Sequence, residues 1–351
     1  MNKLTKVGFS ALCGSLATIV SANAGDMTVT GGVDMTWISK SADDTGNPIG
    51  MGSNLTFKGS GELDNGWTFA VTVANLNASA YSATDVNLDM GSLGVLNFNQ
   101  GNSGNGIDAY DDKMPTAWEE AWGMGLSTGV KLVSGVGPQD NIQYKSPRVP
   151  AIGLTLTLAM APDMGSGDTA DKTSSGGSTK GHGYDAVINL NPSMGTEILS
   201  GLNIFGGGHY TESASAAGSA TQTNIYEAVA GITYDIGPIS LGYAQSGHIT
   251  GFEEGTTAVS HYRGNMYGVA FNVNDDLSVS YARHESRKAG YTNGSVAAPS
   301  ENNRRIEVES WQVAYTMGGA SVRLADTKGS NLHFADANDK DATVVSVSLA
   351  F

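Results

Sequence analysis

The stretch Gly153-Leu154-Thr155-Leu156-Thr157-Leu158-Ala159-Met160 decides the fold class. Leu154, Leu156, Leu158 and Met160 share one parity, and Thr155, Thr157 and Ala159 share the other. Successive side chains of a strand point to opposite faces, so the segment reads as a strand with one apolar and one polar face. The same period of two recurs in both directions along the chain. Met27, Val29, Val33, Met35 and Trp37 alternate with Thr28, Thr30, Asp34 and Thr36. Trp67, Phe69, Val71 and Val73 alternate with Thr68, Ala70, Thr72 and Ala74, and Val345, Val347, Leu349 and Phe351 with Ser346 and Ser348.

Sixteen such segments are predicted, at 27–39, 51–62, 66–76, 84–90, 94–100, 138–146, 153–161, 183–191, 201–211, 223–235, 238–247, 262–273, 276–287, 306–317, 319–327 and 341–351. Their connections alternate in length. Short turns such as Asp64-Asn65-Gly66, Ile236-Gly237 and Asn274-Asp275 alternate with longer polar loops, of which 101–137 is the longest. Short turns at one rim and long loops at the other describe an antiparallel meander closed into a transmembrane barrel. The even strand number places both ends of the sheet at the short-turn rim. The expected fold is therefore all-β: one transmembrane antiparallel β-barrel of sixteen strands spanning 25–351.

The first residues read as a targeting segment. Lys3 and Lys6 precede an apolar run from Val7 to Val20, and Ala22-Asn23-Ala24 supplies small residues for cleavage after Ala24. This is the order of a secretory signal peptide over 1–24, and the run is too short for a spanning helix. Cys13 lies within it, so the chain from residue 25 onward has no cysteine for disulfides or thiolate metal sites. The net charge of −15 argues against nucleic acid as a partner. Beyond the signal no apolar stretch reaches helix-spanning length, but a barrel wall never produces one, because its lipid-facing residues alternate with polar ones.

No catalytic pattern stands out. The six histidines, at 182, 209, 248, 261, 284 and 333, are dispersed, with no helical zinc spacing. There is no Gly-x-Ser-x-Gly elbow and no phosphate loop, and the glycines of 101–106 lack the strand-to-helix setting of a dinucleotide site. The chain is not expected to be an enzyme or to carry a cofactor. Loosely bound calcium is the one metal considered, through the acidic run Asp336-Ala337-Asn338-Asp339-Lys340-Asp341 or the carboxylates of the longest loop. A solvated charged loop explains both better, since Lys340 stands where a ligand would be needed.

Three places resemble the Gram-negative general porins. These are Asn141-Ile142-Gln143-Tyr144-Lys145-Ser146-Pro147 followed by the Gly153-led strand, Gly91-Ser92-Leu93-Gly94-Val95-Leu96-Asn97-Phe98, and the terminal Phe351 on an alternating strand. The resemblance implies an outer-membrane homotrimer whose third loop, 101–137, folds into the barrel and narrows a water-filled channel for passive diffusion of small polar solutes and ions. On that reading the constriction carries Asp108, Asp111, Asp112, Glu119 and Glu120, with a short helix over Pro115–Trp122. Inward parity assigns Asp34, Lys58, Glu62, Asp85, Asp89, Lys145, Asp185, Glu227 and Arg323 to the pore wall. The three basic wall residues are few beside the basic ladder of many porins, and the acidic surplus favours cations. The expected partners are thus outer-membrane lipid, further copies of the chain, and small hydrophilic solutes. The alternative is a surface structural or adhesion protein whose barrel only anchors its loops.

Overall fold

The computed structural model describes residues 26–41, 46–77, 83–100, 104–150, 152–165, 180–192, 197–213, 223–251, 259–290 and 304–351. The expected signal peptide lies outside these residues. Among them sixteen strands form one closed antiparallel barrel: β1 (Met27–Lys40), β2 (Ile49–Glu62), β3 (Thr68–Leu76), β4 (Ala83–Asp89), β5 (Val95–Gln100), β6 (Asn141–Lys145), β7 (Leu154–Ala161), β8 (Lys180–Leu190), β9 (Leu202–Ser213), β10 (Ile225–Ile236), β11 (Ile239–Ile249), β12 (Val259–Asn272), β13 (Leu277–Gly290), β14 (Arg305–Met317), β15 (Ala320–Ser330) and β16 (Lys340–Ala350). Each strand pairs with its sequence neighbour, and β16 closes on β1 with Trp37 opposite Val345 and Met35 opposite Val347. Closure matters energetically, because it gives every wall N–H and C=O a partner and leaves no sheet edge.

The strands extend beyond the sequence expectation toward the long loops. β12 begins three residues earlier than expected, and β13 and β15 end three residues later. β6 is shorter, because the Asn141 amide donates to the carbonyls of Val136 and Gln139 at 3.1 and 2.8 Å and turns the chain there. One turn of helix, Glu197–Ser200, sits in the β8–β9 connection, and no helix among the described residues is long enough to cross a membrane.

The two faces of the sheet differ in the way alternation requires. Exposed large apolar residues form the outer face: Trp37, Phe57, Phe98, Ile142, Leu156, Leu158, Ile188, Ile232, Leu241, Val269, Val313, Leu324, Val347 and Leu349. Tyr184, Tyr210 and Tyr226 make a contiguous aromatic row on neighbouring strands, with centroids 6.4 and 5.4 Å apart. An exposed apolar band with aromatic rows is the surface that suits a bilayer rather than water.

The inner face is less uniformly polar than alternation suggests. Val187, Phe205, Val229, Ala244 and Met266 point inward and form one buried cluster with Ile107, Met114 and Val133 of the β5–β6 loop. Ala282, Ile306, Val308 and Ala342 do the same with Ala121 and Leu126, joined by Leu332 and Phe334 from the β15–β16 connection. These apolar inner residues are covered by loop rather than by water, so the hydrophobic contribution to folding resides inside the barrel as well as at its outer face.

Candidate pore-lining site

The β5–β6 loop is fixed to the inner wall by hydrogen bonds distributed over several strands. Asp185 on β8 accepts the N–H groups of Ile107 at 2.9 Å and Val136 at 3.2 Å. Glu227 on β10 accepts those of Ser134 at 2.7 Å and Gly135 at 3.0 Å. Ala117 N–H donates to Ser280 Oγ on β13 at 2.8 Å, and Lys131 N–H to Ser286 Oγ at 3.3 Å. Gln312 on β14 accepts from Trp118 and Glu119 N–H, both at 3.0 Å, while its amide donates to the Glu119 carbonyl at 2.6 Å. Asn105 donates to Asn97 on β5 and Asn141 on β6. Interior glycines make room for this approach: a Cβ on Gly268 would lie 2.8 Å from the Pro115 carbonyl oxygen, and one on Gly242 would strike the Pro115 ring.

Two histidines complete the anchors. Asp185, His209, Glu227 and His248 are successive direct cross-strand neighbours on β8, β9, β10 and β11. His209 Nδ1 lies 2.5 Å from Asp185 Oδ1, and its Nε2 lies 2.6 Å from Thr211 Oγ1. His248 Nδ1 lies 2.7 Å from Glu227 Oε1. Both carboxylates are buried, and each receives two loop N–H groups; Asp185 is also hydrogen-bonded to His209, while His248 stands at ion-pair distance from Glu227.

No helix forms over Pro115–Trp122. The loop contains two short 3₁₀ turns instead, Asp108–Tyr110 and Ala121–Gly123. The amides of Ala117, Trp118 and Glu119 are drawn to wall side chains rather than to carbonyls of their own turn, and Glu120 has extended backbone at φ −61, ψ 147.

The five loop carboxylates have different surroundings. Asp108 and Glu120 are buried; Asp108 accepts the Gly104 N–H at 2.6 Å, and Glu120 that of Met114 at 3.2 Å. Burial raises Asp108 to about 6, the Gly104 N–H opposing this and Asp112, Asp185 and Glu227 reinforcing it. Burial raises Asp111 to about 8, with Asp108 and Asp112 adding to it. Glu119 keeps an exposed edge yet is also pushed up, chiefly by the desolvation of a group set inside the barrel, and Glu120 is raised well above its ordinary value by burial. Asp112 is exposed and lies 3.4 Å from Lys113.

On the wall, Arg323 of β15 ties three elements together. Its guanidinium is 2.9 Å from Asp34 of β1, 3.0 Å from Ser346 Oγ of β16, and 4.8 Å from the ring centroid of Trp118 in the loop. Ser346 Oγ also donates to Asp34. Lys58, Glu62 and Asp89 line one recess with Asn87 near the short-turn end of β2–β4. Asp85 is buried and accepts from Asn87 at 2.8 Å. Lys145 is exposed at the end of β6. Lys288 joins the few inner basic residues, its ammonium 5.1 Å from the Phe334 ring.

His209, His248, Ser280, Ser286 and Gln312 were not singled out from sequence. One of these was legible: the two-residue β10–β11 turn fixes that hairpin's register and so sets Glu227 opposite His248. Among the described residues no group of three His, Cys, Asp or Glu converges to hold a metal ion. In the acidic run of the β15–β16 connection, Asp336 pairs with Arg304 at 3.0 Å and Asp339 accepts the Asn331 N–H at 2.9 Å.

No protein-family model and no curated protein matches the sequence. Solved structures do match in architecture. Salmonella typhi OmpF in complex with daunomycin has a TM-score of 0.67 at 11% identity, covering 95% of this chain and 100% of that one. An anion-selective porin from Comamonas acidovorans has a TM-score of 0.63 at 15% identity, covering 93% and 99%. DcaP, an outer-membrane channel of Acinetobacter baumannii, has a TM-score of 0.63 at 10% identity, covering 96% and 100%. At these identities the likeness is one of fold, and the fold is the closed sixteen-strand barrel of Gram-negative outer-membrane porins.

Proposed function

We propose that this protein is a passive outer-membrane channel for small polar solutes and ions, with the β5–β6 loop as its constriction. The observation that carries the reading is the chain of hydrogen bonds from this loop to inward-facing side chains of β8, β10, β13 and β14. A loop tied to that many staves of one barrel crosses its interior and narrows the path. The exposed apolar outer face supports placement in a lipid bilayer.

The reading includes a mild preference for cations. The loop carries five carboxylates near the path and the wall adds Asp34, Glu62, Asp85, Asp89, Asp185 and Glu227 against Lys58, Lys145, Lys288 and Arg323. The fold does not set the sign, since the Comamonas neighbour is an anion-selective porin. Local charge does, through the cation concentration it maintains in a narrow passage.

The carboxylates do not contribute equally. Asp111, raised to about 8, is largely neutral at neutral pH, whereas Asp112 and Glu119 are exposed. In zero-current potentials across a KCl gradient, Asp112→Asn with Glu119→Gln is expected to remove most of the cation preference near neutral pH. Asp111→Asn should change little there, but should abolish the rise in preference expected as pH passes about 8. An anion-preferring parent, or full loss of selectivity in Asp111→Asn at neutral pH, would refute this. The same raised values affect loop docking. A docked loop holds protons on Asp108 and Asp111 that a free loop releases, so docking is firmest in acid and weakens as pH rises through about 6 and then about 8.

The channel is proposed to assemble as a homotrimer, on its resemblance to general porins. A mass measurement in mild, non-denaturing detergent is expected to give three copies, and a monomer would count against it.

A further inference from the structure

The recess at the short-turn end of β2–β4 is a hollow of about 560 Å³ in the inner face of the barrel. Three cross-strand rows build it. Lys58 faces Thr72, and Thr72 faces Asp85. One step nearer the rim, Ser60 faces Ala70 and Ala70 faces Asn87. At the rim, Glu62 faces Thr68 and Thr68 faces Asp89. The small side chains of Ser60 and Ala70 in the middle row leave the space open. Asp26, just before β1, lines it too, and its carbonyl accepts the Ser60 N–H at 2.9 Å. A hollow of this volume has room for one small molecule.

The charges around this hollow are not spent on one another. Elsewhere on the inner wall Asp34 is committed to Arg323, Asp185 to His209 and loop amides, and Glu227 to His248 and loop amides. Asp85, in the Lys58 row, is buried and accepts the Asn87 amide at 2.8 Å. Lys58, Asp26 and Glu62 form no ion pair among the described residues, and Asp89 gives one oxygen to the Gly91 N–H at 2.8 Å. Lys58 and Glu62 lie on the same strand, separated by about 13 Å at the usual rise. The recess thus offers one cation at its inner end and carboxylates from its middle to its rim. A complementary guest carries one anionic group, a cation beside it, and a second cation at the far end of an extended chain. That is the charge pattern of a dibasic amino acid. Free charge in a cleft concentrates such a solute, and charge-assisted hydrogen bonds orient it.

We propose that this recess binds a dibasic amino acid, its carboxylate on Lys58, its α-ammonium by Asp26 and the Ser60 hydroxyl, its aliphatic stem over Ala70, and its side-chain cation between Glu62 and Asp89. The site stands at the short-turn mouth, apart from the β5–β6 loop, and loads or releases this class of solute there. That role in passage rests on the channel reading above; the binding itself does not.

The test uses the purified full chain in neutral detergent at low salt, with arginine as the probe and saturation-transfer NMR titration as the readout. Norvaline, which lacks the guanidinium, and agmatine, which lacks the carboxylate, are the comparison ligands. The parent should bind arginine saturably and norvaline several-fold more weakly. Lys58→Met should weaken arginine binding by about fivefold or more, through loss of one charge-assisted contact. The same substitution should leave agmatine bound as well as before or better, since it removes a like charge. Glu62→Gln with Asp89→Asn should weaken arginine and agmatine and leave norvaline unchanged; Asn at 89 keeps an acceptor for the Gly91 N–H. If Lys58→Met fails to fold, Lys58→Gln carries the same comparison, and the norvaline comparison on the parent needs no variant. Arginine binding that rises in Lys58→Met as agmatine binding does would overturn the proposal, because the recess would then be only a cation-attracting wall. Absence of saturable arginine binding, or norvaline binding equal to that of arginine, would also overturn it. Saturable arginine binding in a parent without channel conductance would support the site and count against the channel reading.

Discussion

Replacing Asp185 with Leu is expected to detach the neck of the β5–β6 loop from the wall and widen the channel. Asp185 is the common acceptor for Ile107 N–H, Val136 N–H and His209, all buried. The substitution leaves the two loop amides without a partner in a site where Ile107 and Val136 are wholly buried. A buried donor left without its acceptor costs about 1–3 kcal/mol. The barrel is held by its own strand ladders, so the loss should appear in the loop rather than as global unfolding. Hydrogen exchange of the 104–137 amides should accelerate, single-channel conductance should rise, and the barrel should persist. Glu227→Leu should act in the same direction on Ser134 and Gly135. An Asp185→Leu variant with parent conductance and parent loop protection would show that this loop is neither anchored by Asp185 nor the constriction.

The second large effect concerns the outer face. Leu156 lies mid-strand on β7, is exposed, and has Ile188 opposite it on β8. Its neighbours on the same face are Leu154 and Leu158. If this band faces hydrocarbon, Leu156→Arg should destabilise the protein in bilayers by about 2–4 kcal/mol. The cost should shrink in substitutions nearer either rim. Phe57, Val71, Leu241, Val347 and Leu349 are the comparable positions, and each shows outward parity. Reversible unfolding in vesicles of the parent and the Arg variant measures the difference. Equal stability of the two would mean that Leu156 does not meet lipid.

The pKa shifts of the loop carboxylates connect these predictions to the selectivity argument. The resemblance read from the sequence treats Asp108, Asp111, Asp112, Glu119 and Glu120 as one acidic group. The structure divides them by burial: Asp108 and Glu120 accept loop N–H groups and serve the fold, while Asp112 is exposed. A carboxyl that burial has neutralised adds little to the field felt by a passing ion.

Alternation with period two, read against the spacing of turns, was enough to give the strand number, the meander order and the outward face, because each depends only on local backbone geometry and on which parity is apolar. Trp37, Phe57, Leu156 and Val347 could be assigned to one face for that reason. The register of a tight hairpin was equally local, and it sets Glu227 against His248. What remained beyond sequence reading was everything carried across long connections. Asp185 meets His209, and Arg287 meets Arg305, only once strands joined by longer segments find their register. Val187, Phe205, Val229 and Ile306 break the expected polar inner parity, and the cause appears only when the β5–β6 loop lies over them. The Pro115–Trp122 segment has the composition of a short helix, yet Ser280 and Gln312, more than 160 residues away in sequence, take its amides. Local periodicity determined the barrel; contacts across its interior decided how the loop sits and which of its carboxylates are buried.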